Sequence, residues 1–149
     1  MTLEQQVTNL ELSEKLKDLG VKQNSLFHWV KYRSTGVIMP WFRAEVITES
    51  NSIEIMCSAF TVAELGEMLP VRIEDDTWLS CTKSLNGFGE ICERISYDKW
   101  EDKKNYLAVI HVHEIIGIPY TKYENQKISE ADLRAKMLIY LLENNLITL

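Results

Sequence analysis

Positive charge, histidine and cysteine are all scarce in this sequence, and each shortage narrows what the chain can do. Sixteen Lys and Arg stand against 22 Asp and Glu, giving a formal net charge of −6. A chain of that balance lacks the electrostatic footprint that attracts phosphate backbones or anionic membranes, so nucleic acid is the less expected partner. The three cysteines include no C-x-x-C pair, which argues against a disulfide framework and for reduced thiols. The longest apolar run, Met137 to Leu142, is too short to span a bilayer, so no membrane partner is expected. Met1-Thr2-Leu3-Glu4-Gln5-Gln6 has no basic stretch leading into an apolar one, which predicts no secretory signal and a cytoplasmic location.

Catalytic signatures are missing as well. There is no G-x-S-x-G, no phosphate-cradling P-loop and no dinucleotide fingerprint. An imidazole base can come only from His28, His111 or His113, and none of them sits in a nucleophile motif. The acidic pairs Asp75-Asp76 and Glu101-Asp102 are expected in turns, as solvated charge. No cofactor is expected, and an enzyme is the less favoured reading.

What is present is an ordinary folding composition, 46% hydrophobic and 26% charged. The length predicts a single domain over residues 1–149. Thr8-Asn9-Leu10-Glu11 has the form of a capping box, followed by Leu12, Leu16 and Leu19 on one helical face and a Gly20 stop. Ser25 to Val30 reads as further helical turns, ended by Ser34-Thr35-Gly36. Period-two alternation over Phe42–Val46 and Ile53–Cys57 predicts a hairpin across Glu49-Ser50-Asn51-Ser52. Thr61-Val62-Ala63-Glu64 is a second capping box, opening a short helix that ends near Pro70.

Asn86-Gly87 fits a type I′ hairpin turn, because both of its central positions need positive φ. A two-residue loop there would oppose Leu85 to Phe88, Lys83 to Glu90 and Cys81 to Cys92. Such a cysteine pair would lie about 5.5 Å apart at Cα, within disulfide reach, although a reducing compartment keeps it as thiols. Tyr97 to Lys104 reads as a charged loop, and the Val- and Ile-rich Tyr106–Ile116 as a strand, with a helix as the alternative. Gly117 to Lys127 reads as a connection, and Ser129 caps a helix whose Ala135, Leu138, Ile139 and Leu142 form an apolar face. Together these predict an α+β fold: an antiparallel sheet of two hairpins plus an additional strand, with the terminal helices and a short central helix packed on one face.

Two constellations are candidate sites. The leucines before Gly20-Val21 and the apolar spacing after it resemble a helix-turn-helix, in which Gln23, Asn24, Ser25 and His28 would face base edges while Lys22 and Lys31 contact phosphate. Against it stand Leu16, where close helix packing wants a small residue, and the acids Glu4, Glu11, Glu14 and Asp18. A helical hairpin covering a sheet is the alternative. The second constellation is His111-Val112-His113, whose imidazoles would share a strand face and, with Glu114 or a cysteine, could hold zinc. Partly buried, hydrogen-bonded histidines are the alternative there. The tryptophans at 29, 41, 78 and 100, with Phe27, Tyr32 and Phe42, are either core or the lining of a partner surface.

Three segments, Asn9–Val21, Ala59–Pro70 and Glu130–Asn144, resemble a group of small uncharacterised bacterial proteins associated with prophages and mobile elements. The resemblance lies in helix-forming segments and carries no catalytic residues. It implies a phage-associated accessory protein that acts by binding another protein and is not an enzyme. A DNA-binding regulator built on Lys22 to Lys31 and a metal-dependent enzyme centred on His111 and His113 are the alternatives.

Overall fold

A computed structural model describes residue 3 and residues 6–42, 52–74, 77–85, 91–103, 106–116 and 128–148; side chains at 74, 82–85, 91–93, 98–103 and 106–116 lie outside that description. The class is α+β and the strand pairing is antiparallel, as the sequence predicts. The strands divide between two sheets, and the chain divides into two compact units. Residues 1–68 and 129–149 form the first unit, and residues 69–128 form the second. Among the described residues no helix is long and apolar enough to cross a membrane.

The first unit begins with helix α1 (Leu10–Asp18), whose N-cap is Asn9 and not Thr8. Thr8 has another task. Its amide donates to the Phe60 carbonyl, and its hydroxyl accepts from the Phe60 amide and shares a hydrogen bond with Ser13 Oγ. The Asn9 side chain one position later therefore meets the Leu12 amide at 2.9 Å. Gly20, at φ +86, ends the helix in the left-handed conformation that a residue without Cβ adopts freely.

The next segment corrects the helical reading. Phe27–Tyr32 is strand β1, the centre of a three-stranded sheet of order β2-β1-β3, with β2 (Ile38–Phe42) and β3 (Ile53–Ala59) at its sides. His28, Trp29 and Val30 are consecutive buried residues, so both faces of β1 are covered and the alternation that marks a half-exposed strand is absent. Aromatic and β-branched composition was the remaining strand signal. Of the expected pairing of Phe42–Val46 with Ile53–Cys57, the described part is replaced by pairing to β1: Phe42 opposes Phe27, and β1 lies between β2 and β3. The β1–β2 hairpin closes through Gly36 at φ +71, with Gly36 N–H donating to Tyr32 O at 2.8 Å and Tyr32 N–H to Val37 O at 2.9 Å. Residues 43–51, including the expected turn, lie outside the described residues.

Helix α2 (Val62–Met68) opens on the predicted capping box: Thr61 N–H donates to Glu64 Oε2 at 2.8 Å, and Glu64 N–H returns to Thr61 Oγ1 at 3.3 Å. Helix α3 (Glu130–Glu143) is capped by Ser129, as expected, and stops at Asn144 and Asn145, the latter at φ 55. Its burial exceeds a single apolar face, since Ala131, Asp132, Leu133, Ala135, Met137, Leu138, Ile139 and Leu141 are all buried. A helix covered on several sides is embedded in its unit. Asp132 belongs to this set because its Oδ1 accepts the Asn9 amide at 2.8 Å, joining the starts of α1 and α3.

The second unit is a sheet of order β4-β5-β6-β7, with β4 (Arg72–Glu74), β5 (Thr77–Leu85), β6 (Ile91–Lys103) and β7 (Tyr106–Ile116). The predicted β7 is present. Two other expectations fail. Tyr97–Lys103 continues β6, because the strand is paired along its length by β5, β7 or both, and that ladder outweighs the local charge. The Asn86-Gly87 register is also displaced: Leu85 pairs with Ile91, Lys83 with Glu93, Ser84 with Cys92 and Cys81 with Ile95. Cys81 and Cys92 are therefore not opposed, and the expected disulfide geometry is absent. The register is that of a nine-residue ladder, and Asn86-Gly87 itself lies outside the described residues.

Candidate docking surface

Of the residues proposed to read DNA, some are committed to structure and others are exposed. The second helix that the motif requires is β1, so the helix-turn-helix is not formed. Gln23 Oε1 accepts the Ser58 amide at 2.7 Å and its Nε2 donates to Val21 O at 2.7 Å. Ser25 Oγ donates to Ala59 O and shares a second bond with Glu64 Oε2, both at 3.0 Å. His28 is buried, while Lys22, Asn24 and Lys31 are exposed. His111 and His113 lie on β7 opposite Asp98 and Tyr97, and their side chains lie outside the described residues. Among the described residues no group of three or more His, Cys, Asp or Glu side chains is placed to hold a metal ion.

The aromatic set divides between interior and surface. Trp29 is core: its indole N–H donates to Thr8 O at 3.0 Å, and it packs with Val7, Cys57 and Ala59. Trp41 is half-buried, with its ring 5.3 Å from that of Tyr32. Phe42 is exposed and its ring lies 5.6 Å from that of Phe27. In the second unit Trp78 is exposed, with the Arg72 guanidinium 5.6 Å above its ring. The side chain of Trp100 lies outside the described residues.

Among the described residues, apolar exposure concentrates on strand β2. Val37 precedes it at 52% exposure, and Ile38, Met39 and Phe42 are 39%, 37% and 40% exposed. Leu26, just before β1 and one residue from the partner of Phe42, is also exposed. The register distributes these side chains over both faces of the sheet: Ile38, Pro40 and Phe42 align with Lys31, Trp29 and Phe27, while Met39 and Trp41 align with Val30 and His28. Beyond β1, Val30 also opposes Ile55, itself exposed. Single exposed apolar residues are ordinary on a protein surface, but a run of them along one edge strand is not.

The backbone of that edge is defended. Because Tyr32 N–H bonds Val37 O, alternation places the ladder bonds to β1 at Val37, Met39 and Trp41, and the outward-facing positions at Ile38, Pro40 and Phe42. Pro40 has no N–H, so the central outward donor is missing. On the far strand, Gln23 takes the Ser58 amide and Lys17 Nζ donates to Met56 O at 2.7 Å. Side chains and a proline thus occupy backbone sites at which another chain would otherwise pair. Sequence reasoning named Phe42 and Trp41 for a partner surface but not Val37, Ile38 or Met39. The signal available for them was a five-residue segment, Ile38 to Phe42, without a single polar side chain.

Compared with known proteins, the chain matches no family model, no curated protein and no solved structure.

Proposed function

We propose that this is a non-enzymatic accessory protein that acts by binding another protein, of the phage-associated kind that the sequence resemblance implies, and that it docks through the β1–β2 hairpin. The observation that carries the reading is the apolar edge strand β2, exposed from Val37 through Met39 and again at Phe42. Burying such side chains yields about 25 cal/mol for each Å² removed from water, so an apolar edge left open is worth covering. Tyr32 and Trp41 on one side and Phe27 on the other give the strand a stiff aromatic backing. Aromatic anchors of this type dominate binding energy at protein interfaces.

The test is a photo-crosslinking amino acid placed at position 39 and, as a control, at the exposed Glu67, in cells of the source organism. A discrete adduct formed from position 39, absent from position 67 and lost in the Phe42→Ser background, supports docking through β2. Equal or indiscriminate labelling from both positions overturns it.

A further inference from the structure

The partner's chemistry can be taken further, on the assumption that the docking reading holds. Between Asp18 and Glu45 the sequence contains no acidic residue, yet it holds Lys22, Lys31, Arg33 and Arg43. The rest of the chain has twelve basic residues against 22 acidic ones, obtained by taking these four from the sixteen. The exposed apolar strand is therefore carried on the basic segment of an acidic protein. Lys22, Lys31 and Arg33 are exposed, and among the described residues no ion pair engages them. Lys31 stands between two direct cross-strand partners, Ile38 on β2 and the exposed Glu54 on β3, and no ion pair between Lys31 and Glu54 is formed. Arg33 Nε donates to the Ile53 carbonyl, a neutral acceptor that leaves its charge uncompensated. Glu64, which reaches the start of β1, already accepts from the Leu26 and Thr61 amides.

We propose that the β1–β2 hairpin receives a protein segment that is both apolar and acidic, gripped by side chains and not added as a further strand. Apolar contact goes to Ile38 and Phe42, which share a face with Lys31, and the acids meet Lys31 and Arg33. Pro40 makes ladder pairing discontinuous at the middle of the edge, which leaves side chains to supply the affinity. Two other anionic occupants fit less well. A bilayer would be entered by the tip of a hairpin, and this tip is Arg33-Ser34-Thr35-Gly36, polar and charged, with the apolar residues set along the flank. A nucleic acid would call for many more phosphate-contacting cations than this segment offers, on a chain of net charge −6.

The experiment uses the full chain and fluorescein-labelled peptides of about 16 residues with one apolar pattern and three polar sets: Glu/Asp, Gln/Ser and Lys/Arg. Anisotropy should show the acidic peptide binding about tenfold more tightly than the neutral one, with the basic peptide weakest. Ile38→Ser and Phe42→Ser should each weaken the acidic peptide by about tenfold. Lys31→Gln and Arg33→Gln should each weaken it by roughly threefold and flatten its salt dependence. Pro40→Val, which restores the outward N–H, should leave affinity within about twofold; a large gain would mean strand addition and overturn the side-chain grip. If the neutral peptide binds as well as the acidic one and Phe42→Ser abolishes both, docking stands and the charge preference falls. If no peptide binds, or if a labelled DNA duplex or phosphatidylglycerol vesicles bind more tightly through the same residues, both readings fall. Circular dichroism of each variant confirms that losses arise from the folded state.

Discussion

The two units hold themselves together in different ways. The first, residues 1–68 with 129–149, is assembled from segments far apart in sequence, joined by side chains that reach backbone groups. Thr8 links to Phe60, Asn9 to Asp132, Ser25 to Ala59 and Gln23 to Ser58. The second, residues 69–128, is a meander in which each strand pairs with its neighbour in sequence, and its described long-range side-chain bond is Tyr97 Oη donating to Pro70 O at 2.7 Å. The first unit therefore places specific burdens on individual polar residues. Among the described residues, the second shows its cohesion in a backbone ladder together with the Tyr97 bond.

The contrast can be sharpened by mutation. The largest effect is expected for Phe60→Ala, since Phe60 is fully buried in the first unit and such truncations cost about 4 kcal/mol; urea denaturation measures it. Thr8→Val keeps shape but leaves the Phe60 amide and Ser13 hydroxyl short of a partner, with a loss of about 2 kcal/mol. Tyr97→Phe in the second unit should cost about 1 kcal/mol, because one bond to a carbonyl is removed while the ladder persists. If Tyr97→Phe proved as costly as Thr8→Val, the distinction between the units would break.

Cys57 offers a pH test within the first unit. Burial pushes its thiol from 9.0 up to about 11, the charge of Glu14 adding to the rise and that of Lys17 opposing it. The folded state thus favours the protonated thiol. Its contribution to stability is complete below pH 9 and is lost as pH climbs through about 11. The stability of the natural protein should accordingly fall toward that of Cys57→Ala across this window, and parallel curves would refute the assignment. The smallest effect is expected at Gly66 of α2. A Cβ there would sit 3.0 Å from Arg134 Nη1, the movable end of a side chain that also pairs with Glu130 at 2.9 Å. Gly66→Ala gains up to about 1 kcal/mol of helix propensity, and displacing the guanidinium should reduce the measured benefit to a few tenths.

Local signals were legible where a residue acts on its immediate neighbours. Thr61 and Glu64 form the predicted box, Gly20 stops α1, and Ser129 and Asn145 bound α3. Tyr106–Ile116 is a strand because its β-branched composition and its pairing agree. Asn86-Gly87 misled, since a turn preference worth little on its own competes with a long ladder that sets the register from both sides. The helix-turn-helix likeness misled for a related reason: apolar spacing by three and by two overlap in a strand buried on both faces. Of the candidate surface, the apolar content of Ile38 to Phe42 and the acid-free stretch around it were readable. Its position at an edge was not, because strand order depends on which partner claims each side of β1.

Composition, the N-caps of α2 and α3, the stops and the α+β class were thus determined by the chain on its own, because each is fixed by chemistry acting over a few residues. Tertiary structure decided the order β2-β1-β3, the register of β5 on β6 and the diversion of Thr8, Gln23 and Ser25 into structural bonds. Those outcomes turn on competition between segments far apart in sequence for the same hydrogen-bonding groups and the same apolar cover, and no local pattern records which competitor wins.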